Sequence, residues 1–386
     1  MQLQYAPLGA YRDADTLSRL DRLAAYAALN RFNALYMIQR AGSGHIGSTF
    51  SSMDIITWMM LEHPEIAFFS SKGHDAPAFY ASLIATGRLP FDMLPLLRRV
   101  GGLPGHPELK TPGIIAHSGS LGMGISKAKG LIRANRLRGI EQRVAVLLGD
   151  GELQEGQVWE ALMQADGEEL TVIIDRNGLA TEGKPTLPFL AERLLAFSGL
   201  LQVDGHDYGQ LSEALRLRPA DEPQIILAST IKGKGVSFME GRAEYHSGAL
   251  STVEYQSAIR ELEVTIRHHL PLFWSCGDAI KTPHKPPTLI PAYEKALADA
   301  GCNPDVVVLD ADLAQDCGLN SFRKLWPNRF VECGIAEQDM VSQAGMLAAQ
   351  GFVPIVHSFA AFLTRRANEQ IYDNCHQGLK VIYVGS

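Results

Sequence analysis

Cysteine is scarce in this chain. Five occur in 386 residues (Cys276, Cys302, Cys317, Cys333 and Cys375), all in the last third and none in a C-x-x-C pair. That pattern argues against a paired-cysteine zinc site or a redox dithiol, and an odd, scattered set fits free thiols in a reducing compartment. An excess of one charge is also missing. The 35 basic and 42 acidic side chains leave a net charge of −7, which gives no hint of a nucleic-acid partner or of attraction to an acidic membrane. No apolar run approaches the roughly 20 residues of a spanning helix, and the N-terminus lacks a signal-peptide pattern. The expectation is a soluble cytoplasmic protein with no nucleic-acid and no membrane partner.

Apolar residues, by contrast, are plentiful at 46%, enough to core two or three domains of ordinary size. The chain is organised around Val144–Ala180, which contains V-A-V-L-L-G-D-G-E-L-Q-E-G and later I-I-D-R-N-G-L-A. Val144–Leu148 reads as a strand buried on both faces, Gly149-Asp150-Gly151 as a sharp turn, and Leu170–Ile174 as the next strand after a helix from about Gln157. Asp150 and Asn177 then fall at the carboxyl ends of two neighbouring parallel strands, where open α/β sheets bind ligands. An acid, an amide and several glycines there suit a divalent cation carrying a phosphorylated ligand. Asp-Gly and Asn-Gly are also ordinary turn pairs, so this stretch alone leaves both readings open.

The rest of the chain alternates in the same way. Helices are expected at Leu17–Arg40, Ser52–Leu61, Ala78–Ala85 and Gly124–Leu137, and a strand at Gln224–Leu227. Such alternation predicts an α/β protein with a mainly parallel sheet covered on both faces. Five prolines between Pro271 and Pro291 mark a linker, which gives domains at residues 1–270 and 292–386 joined by 271–291. The second domain repeats the pattern. Helix Tyr293–Ala300, strands Val306–Leu309 and Phe330–Cys333, helix Glu337–Gln350, and strands Val353–His357 and Val381–Val384 follow in order. It stops directly after a strand, so it reads as an incomplete α/β domain.

Three histidines lie in separate glycine-bearing loops: His45 in S-G-H, His74 in S-K-G-H and His106 in P-G-H-P. One such histidine is ordinarily structural, but three at one sheet edge can bind hydroxyl or diphosphate oxygens and move protons near neutral pH. No H-x-x-x-H metal pair is present. Gly119, Gly122 and Gly124 precede a helix and can let backbone amides approach a diphosphate, or simply loosen the helix start. No G-K-[ST] follows, which argues against a P-loop. Glu337 stands at a helix start just after G-I-A, where a glutamate also suits the helix dipole.

Taken together these motifs resemble the transketolase family, which depends on thiamine diphosphate. The G-D-G turn followed 27 residues after its aspartate by Asn177 resembles that family's cofactor motif. S-G-H, S-K-G-H, P-G-H-P-E, G-S-L-G-M-G, D-G-H-D at Asp204, T-I-K-G-K-G at Thr230, Y-H-S-G at Tyr245, D-A-D-L at Asp310 and G-I-A-E-Q at Gly334 follow in the family's order. The resemblance implies a thiamine diphosphate-binding fold, with a pyrophosphate domain and a partial pyrimidine domain. It implies that Asp150, Asn177 and the main-chain carbonyl of Leu179 ligate Mg²⁺ (or Ca²⁺). Gly122, Gly151 and Glu152 would border the cofactor, with His74 and His246 at its diphosphate or thiazolium. Glu337 would hydrogen-bond the aminopyrimidine, and Phe359 and Phe362 would pack against it. His45 and His106 would bind substrate oxygens during transfer of a two-carbon ketol unit from a ketose to an aldehyde. Because the two domains sharing one cofactor come from different subunits in this family, a homodimer is implied, or a heterotetramer with a C-terminal transketolase subunit.

Three departures refine that expectation. The sequence ends partway through the pyrimidine domain, which predicts a split transketolase completed by a partner subunit. Where the family carries an arginine and a serine for a sugar phosphate, this chain has Ile290 and Asp316. Losing a guanidinium and gaining a carboxylate predicts an atypical substrate, non-phosphorylated or cationic at its far end, as in specialised metabolism. The connection before Leu170 is also shorter than the family's. The alternatives are another thiamine diphosphate-dependent carboligase or decarboxylase, or a non-catalytic cofactor-binding scaffold subunit.

Overall fold

The computed structural model describes residues 2–165, 169–181, 183, 193–197, 199–217, 223–279 and 289–386. The chain divides into two compact units. The first comprises Met1–Leu153, Gln157–Leu179 and Phe189–Pro283, and the second Gln154–Gly156, Ala180–Pro188 and His284–Ser386.

The first unit is built on strands β2 (Ala67–Ser70), β3 (Val144–Gly149), β4 (Leu170–Arg176), β5 (Leu200–Asp204) and β6 (Gln224–Ser229), with β1 (Gln2–Tyr5) and β7 (Cys276–Ala279) apart from them. The five form a sheet in the order β2-β3-β4-β6-β5, and every pairing is parallel. The central strands β3 and β4 are buried except for Arg176, as the unbroken apolar runs require of strands covered on both faces. Strand β5 is partly exposed along its length, which marks it as an edge. Helix Arg19–Ala41 crosses the core. It starts at Ser18, whose hydroxyl accepts from the Asp21 N–H, and stops at Gly42 in the left-handed region at φ 77°, a conformation that favours glycine at helix ends.

Strand β7 lies inside the stretch read as a linker. It pairs antiparallel with β1, Gln2 opposite Ala279 through Tyr5 opposite Cys276. An edge offered by the N-terminal strand therefore orders the start of that segment, and residues 280–288 lie outside the described residues. Residues 166–168, in the connection before β4 that was expected to be short, also lie outside them.

The second unit has strands β8 (Val306–Asp310), β9 (Phe330–Glu332), β10 (Val353–Ser358) and β11 (Ile382–Gly385). They run in the order β11-β10-β8-β9, again all parallel. The last strand sits one residue later than its apolar pattern indicated. Helices Ala360–Arg366 and Asn368–His376, which lack a sustained apolar period, complete the unit. Among the described residues no helix is long and apolar enough to cross a membrane.

Candidate functional site

Parallel strands aim their carboxyl ends at one edge of the sheet, and in the first unit that edge gathers the expected residues. After β3 the chain turns into a short 3-10 segment, Gly151–Gln154. Asp150 is 3% exposed. Its Oδ1 accepts from the Gly151 N–H at 2.9 Å and its Oδ2 from the Gly178 N–H at 2.6 Å. Gly149 pairs with Asp175, so Asn177 emerges beside Asp150 just past the end of β4. The Asn177 Oδ1 accepts from the Leu179 N–H at 3.1 Å, and the Leu179 carbonyl accepts from Lys232 Nζ at 3.1 Å.

Burial pushes the Asp150 carboxyl up to about 6, and the nearby Asp175 carboxylate adds to the rise. A cation at these oxygens would reverse both effects. The donor set is one carboxylate, one amide oxygen and one carbonyl, a hard-oxygen set suited to Mg²⁺ or Ca²⁺. Among the described residues no group of three His, Cys, Asp or Glu side chains could hold a metal, so a softer, imidazole- or thiolate-rich centre is not formed by them.

Two lysines enter this edge almost fully buried, Lys72 and Lys232, each 1% exposed. Lys72 Nζ lies 2.5 Å from Asp175 Oδ2 and 3.7 Å from Asp75 Oδ2. Burial pulls the Lys72 ammonium down, but Asp175 and Asp75 more than offset it and hold it above the usual lysine range. Asp175 is fixed in turn by the Ser51 hydroxyl at 2.7 Å and by Thr230. Lys232 Nζ sits 2.9 Å from His246 Nδ1.

The histidines of the separate loops converge here. Ring centroids of His45 lie 5.3 Å from His74, 5.8 Å from His106 and 5.4 Å from His246, and those of His74 and His246 are 5.7 Å apart. All four are partly exposed, so they line a surface rather than fill a core. His74 Nε2 is 2.8 Å from the Ser48 hydroxyl. Burial, then neighbouring imidazoles and cations, push His45 down to about 3 and hold His74, His246 and His106 below the usual histidine range. These rings are therefore neutral at pH 7 and can each donate one hydrogen bond and accept another. A depressed folded pKa favours the neutral form, so this contribution to stability is complete above about 6.5, the unfolded value, and is lost as pH falls towards the folded values. We expect His45 to show no titration between pH 5 and 8 by ¹H–¹⁵N NMR. A midpoint near 6.5 would show that the ring is solvated instead.

Glycine makes the close packing of these loops feasible. A Cβ on Gly124 would fall 2.2 Å from Ser71 Cβ, and one on Gly73 (φ 65°) would fall 2.6 Å from the Gly119 backbone nitrogen. The buried Glu152 fastens the same loops, accepting from the Gly122 N–H at 2.8 Å, the Gly149 N–H at 3.3 Å and the Ser71 hydroxyl.

The second unit holds the remaining candidates. Glu337 opens helix Glu337–Ala349 and is 1% exposed. Arg366 Nη1 donates to its two oxygens at 3.0 and 2.9 Å, and to Glu155 Oε1 at 2.5 Å. The Arg366 guanidinium lies 4.9 Å from the Phe362 ring centre, and Phe362 lies 5.8 Å from Phe359. Ile290 begins helix Ile290–Ala300. The short helix carrying Asp316 ends at Gly318 (φ 72°), where a Cβ would come 2.9 Å from Ile290 Cγ2. Positions 290 and 316 thus belong to one corner of this unit. Lys72, Lys232 and Glu155 are buried and Arg366 is partly buried beside these candidates, and the sequence does not single them out, because enclosed long charged side chains are rare and nothing local distinguishes them from surface ones.

A family model described as "Transketolase, thiamine diphosphate binding domain" matches residues 23–268, and one described as "Transketolase, pyrimidine binding domain" matches residues 285–386. The chain is 31% identical to "Transketolase-like protein 2" of Mus musculus, over 97% of this chain and 66% of that protein. It is 30% identical to one of the subunits of the apulose-4-phosphate transketolase of Phocaeicola vulgatus, over 64% of this chain and 96% of that protein. A solved transketolase from Campylobacter jejuni superposes with a TM-score of 0.56 at 22% identity, covering 96% of this chain and 70% of that one, a likeness of fold. The chain thus spans just under two thirds of the mouse relative's length.

Proposed function

The chain belongs to the transketolase family, and on that premise we propose that it binds thiamine diphosphate with a divalent cation and takes part in two-carbon ketol transfer from a ketose to an aldehyde. The observation that carries this reading is the meeting, at one sheet edge, of the Asp150, Asn177 and Leu179 oxygens with four neutral histidines and two buried lysines. On this reading the three oxygens hold Mg²⁺ or Ca²⁺. Gly122, Gly151, Glu152, His74 and His246 border the diphosphate, and Lys232 offsets its charge. His45 and His106 bind substrate hydroxyl and carbonyl oxygens. Their neutral rings can accept a proton from a hydroxyl or donate one to an oxygen carrying developing charge. Glu337 faces the aminopyrimidine, with Phe359 and Phe362 against that ring. Bound thiamine diphosphate supplies the electron sink for breaking and making a carbon–carbon bond next to a carbonyl.

The domain assignment on this reading is a pyrophosphate domain over residues 1–270 and a pyrimidine domain over 292–386, joined by 271–291. A relative that is one subunit of a larger enzyme supports a companion chain, in a homodimer or a heterotetramer, and five scattered cysteines with no C-x-x-C pair support a reducing, cytoplasmic setting. Ile290 and Asp316 favour a substrate that is not phosphorylated at its far end. The test is to purify the chain with whatever accompanies it, add thiamine diphosphate and Mg²⁺, and measure ketol transfer from sugar phosphates and from their dephospho analogues. We expect little transfer by the chain alone, restoration by its companion, and a preference for the dephospho substrates. Full activity of the isolated chain would sink the companion, and a strong phosphate preference would sink the substrate assignment.

A further inference from the structure

The D-G-H-D motif lies outside the histidine cluster, yet the structure gives each of its residues a task. Asp204 ends β5 opposite Ser229 of β6. The Gly205 N–H donates to the Ser229 carbonyl at 2.7 Å, and a Cβ on Gly205 would fall 2.5 Å from Thr230 Cγ2. Only glycine permits β5 to leave the sheet that close to its neighbour. Asp207 caps helix Tyr208–Arg216, its Oδ1 accepting from the Gly209 and Gln210 N–H groups at 2.8 and 3.0 Å. His206 lies between these two devices.

Its ring is doubly tied. His206 Nε2 accepts from the Ile231 N–H at 3.0 Å, and Nδ1 lies 2.6 Å from Asp54 Oδ2. A backbone N–H can only donate, so Nε2 carries no proton in this arrangement. The proton is therefore on Nδ1 and is donated to Asp54, which fixes the tautomer by geometry. Asp54 cannot yield easily. It is 7% exposed and also accepts from Arg31 at 3.1 and 2.5 Å and from the Tyr208 hydroxyl at 2.9 Å.

The other end of this relay is the residue before Lys232. Ile231 is 37% exposed, so packing does little to hold that residue. Its N–H does so through His206. On the far side, the Gly233 N–H donates to the Gly47 carbonyl at 3.1 Å. Lys232 stands between those anchors with its ammonium between Leu179 and His246.

We propose that His206 is a positioning residue: a fixed-tautomer imidazole that ties the buried Asp54 to the Ile231 N–H and so sets where the Lys232 ammonium stands for an anionic ligand. The proposal rests on the reading that Lys232 serves the diphosphate of thiamine diphosphate.

Two variants and a double-mutant cycle test it on the full chain. His206→Asn keeps an amide donor near Asp54 but lacks an acceptor that reaches Ile231. His206→Gln is longer and can present that acceptor. Calorimetric titration with thiamine diphosphate at saturating Mg²⁺ should show affinity about 10-fold weaker for His206→Asn, the lower end of what lost supporting hydrogen bonds cost, and at most about 3-fold weaker for His206→Gln. In a Lys232→Met background, His206→Asn should add less than about 2-fold, because coupled residues are not additive. A general loss of stability would weaken binding equally in both backgrounds, and that result overturns the proposal. Wild-type affinity in His206→Asn also overturns it, leaving the cofactor reading intact. A wild-type chain that shows no saturable binding even with its companion present overturns both.

Discussion

Replacing Asp150 with asparagine is expected to weaken binding of thiamine diphosphate–Mg²⁺ by at least about 100-fold in calorimetric titration of the full chain. Losing even a side chain that only orients a metal ligand typically costs about 10–100-fold, and on the proposed reading Asp150 is the one charged donor beside an amide and a carbonyl oxygen. The alternative is that Asp150 merely closes two turns, since its oxygens accept from the Gly151 and Gly178 N–H groups. The asparagine variant separates the two roles. It keeps the size and one of the two acceptor oxygens, so one turn contact survives and the other N–H faces an amide donor, whereas the charge proposed to attract the cation is gone. Alanine is less informative, because it also leaves buried N–H groups unpaired at about 1–3 kcal/mol each. Burial already pushes this carboxyl up to about 6, so a neutral amide should relieve a cost in the cation-free protein. That relief is offset by the one N–H left facing the amide nitrogen, so the melting temperature without ligand should change little while affinity collapses. Binding within about 3-fold of wild type would remove Asp150 from the metal set.

That contrast between local and assembled roles also decides how much could be read from the chain. Val144–Leu148 and Leu170–Ile174 were legible because strands buried on both faces are uninterrupted apolar runs, and β3 and β4 are observed there, adjacent and parallel. Their adjacency put Asp150 and Asn177 at one edge before any contact was known. The histidine loops were legible as candidates through their glycines, but their meeting within 5.3–5.8 Å depends on four loops far apart in sequence. Strand β5 escaped notice because L-L-Q-V-D, partly exposed at an edge, has neither strict alternation nor an unbroken apolar run. Lys72 and Arg366 were opaque for a different reason. Lys72 is buried, and Arg366 largely enclosed, only because carboxylates from distant segments pair with them, Asp175 for one and Glu337 with Glu155 for the other, and pairing across such distances leaves no local pattern. The D-G-H-D motif shows the intermediate case: its order was visible, whereas the task of His206 required Asp54 and Ile231 to be brought to it.

Glu337→Gln is expected to lower kcat for ketol transfer by the assembled enzyme about 100- to 10,000-fold, the range a positioned acid–base group supplies, with little change in melting temperature. In isolation a glutamate in the first turn of a helix is worth only about 0.3–1 kcal/mol through the dipole, and glutamine there would be nearly silent in turnover. The structure distinguishes Glu337 from that ordinary case. It is 1% exposed, and a buried carboxylate is costly unless paired and hydrogen-bonded. Arg366 meets that need with contacts at 3.0 and 2.9 Å, while its own guanidinium is held over Phe362 and against Glu155. Such a clamp keeps Glu337 aimed, which a residue serving only the dipole does not require. Glutamine preserves the volume and can still accept from Arg366, so the variant removes charge and basicity while sparing the packing. Arg366→Lys gives the complementary reading. A single ammonium cannot stack on Phe362 as a planar guanidinium does, so kcat should fall by a smaller factor, about 10-fold. Unchanged turnover in Glu337→Gln would mean that this carboxylate only stabilises the helix, and would favour a cofactor-binding scaffold over a catalytic role.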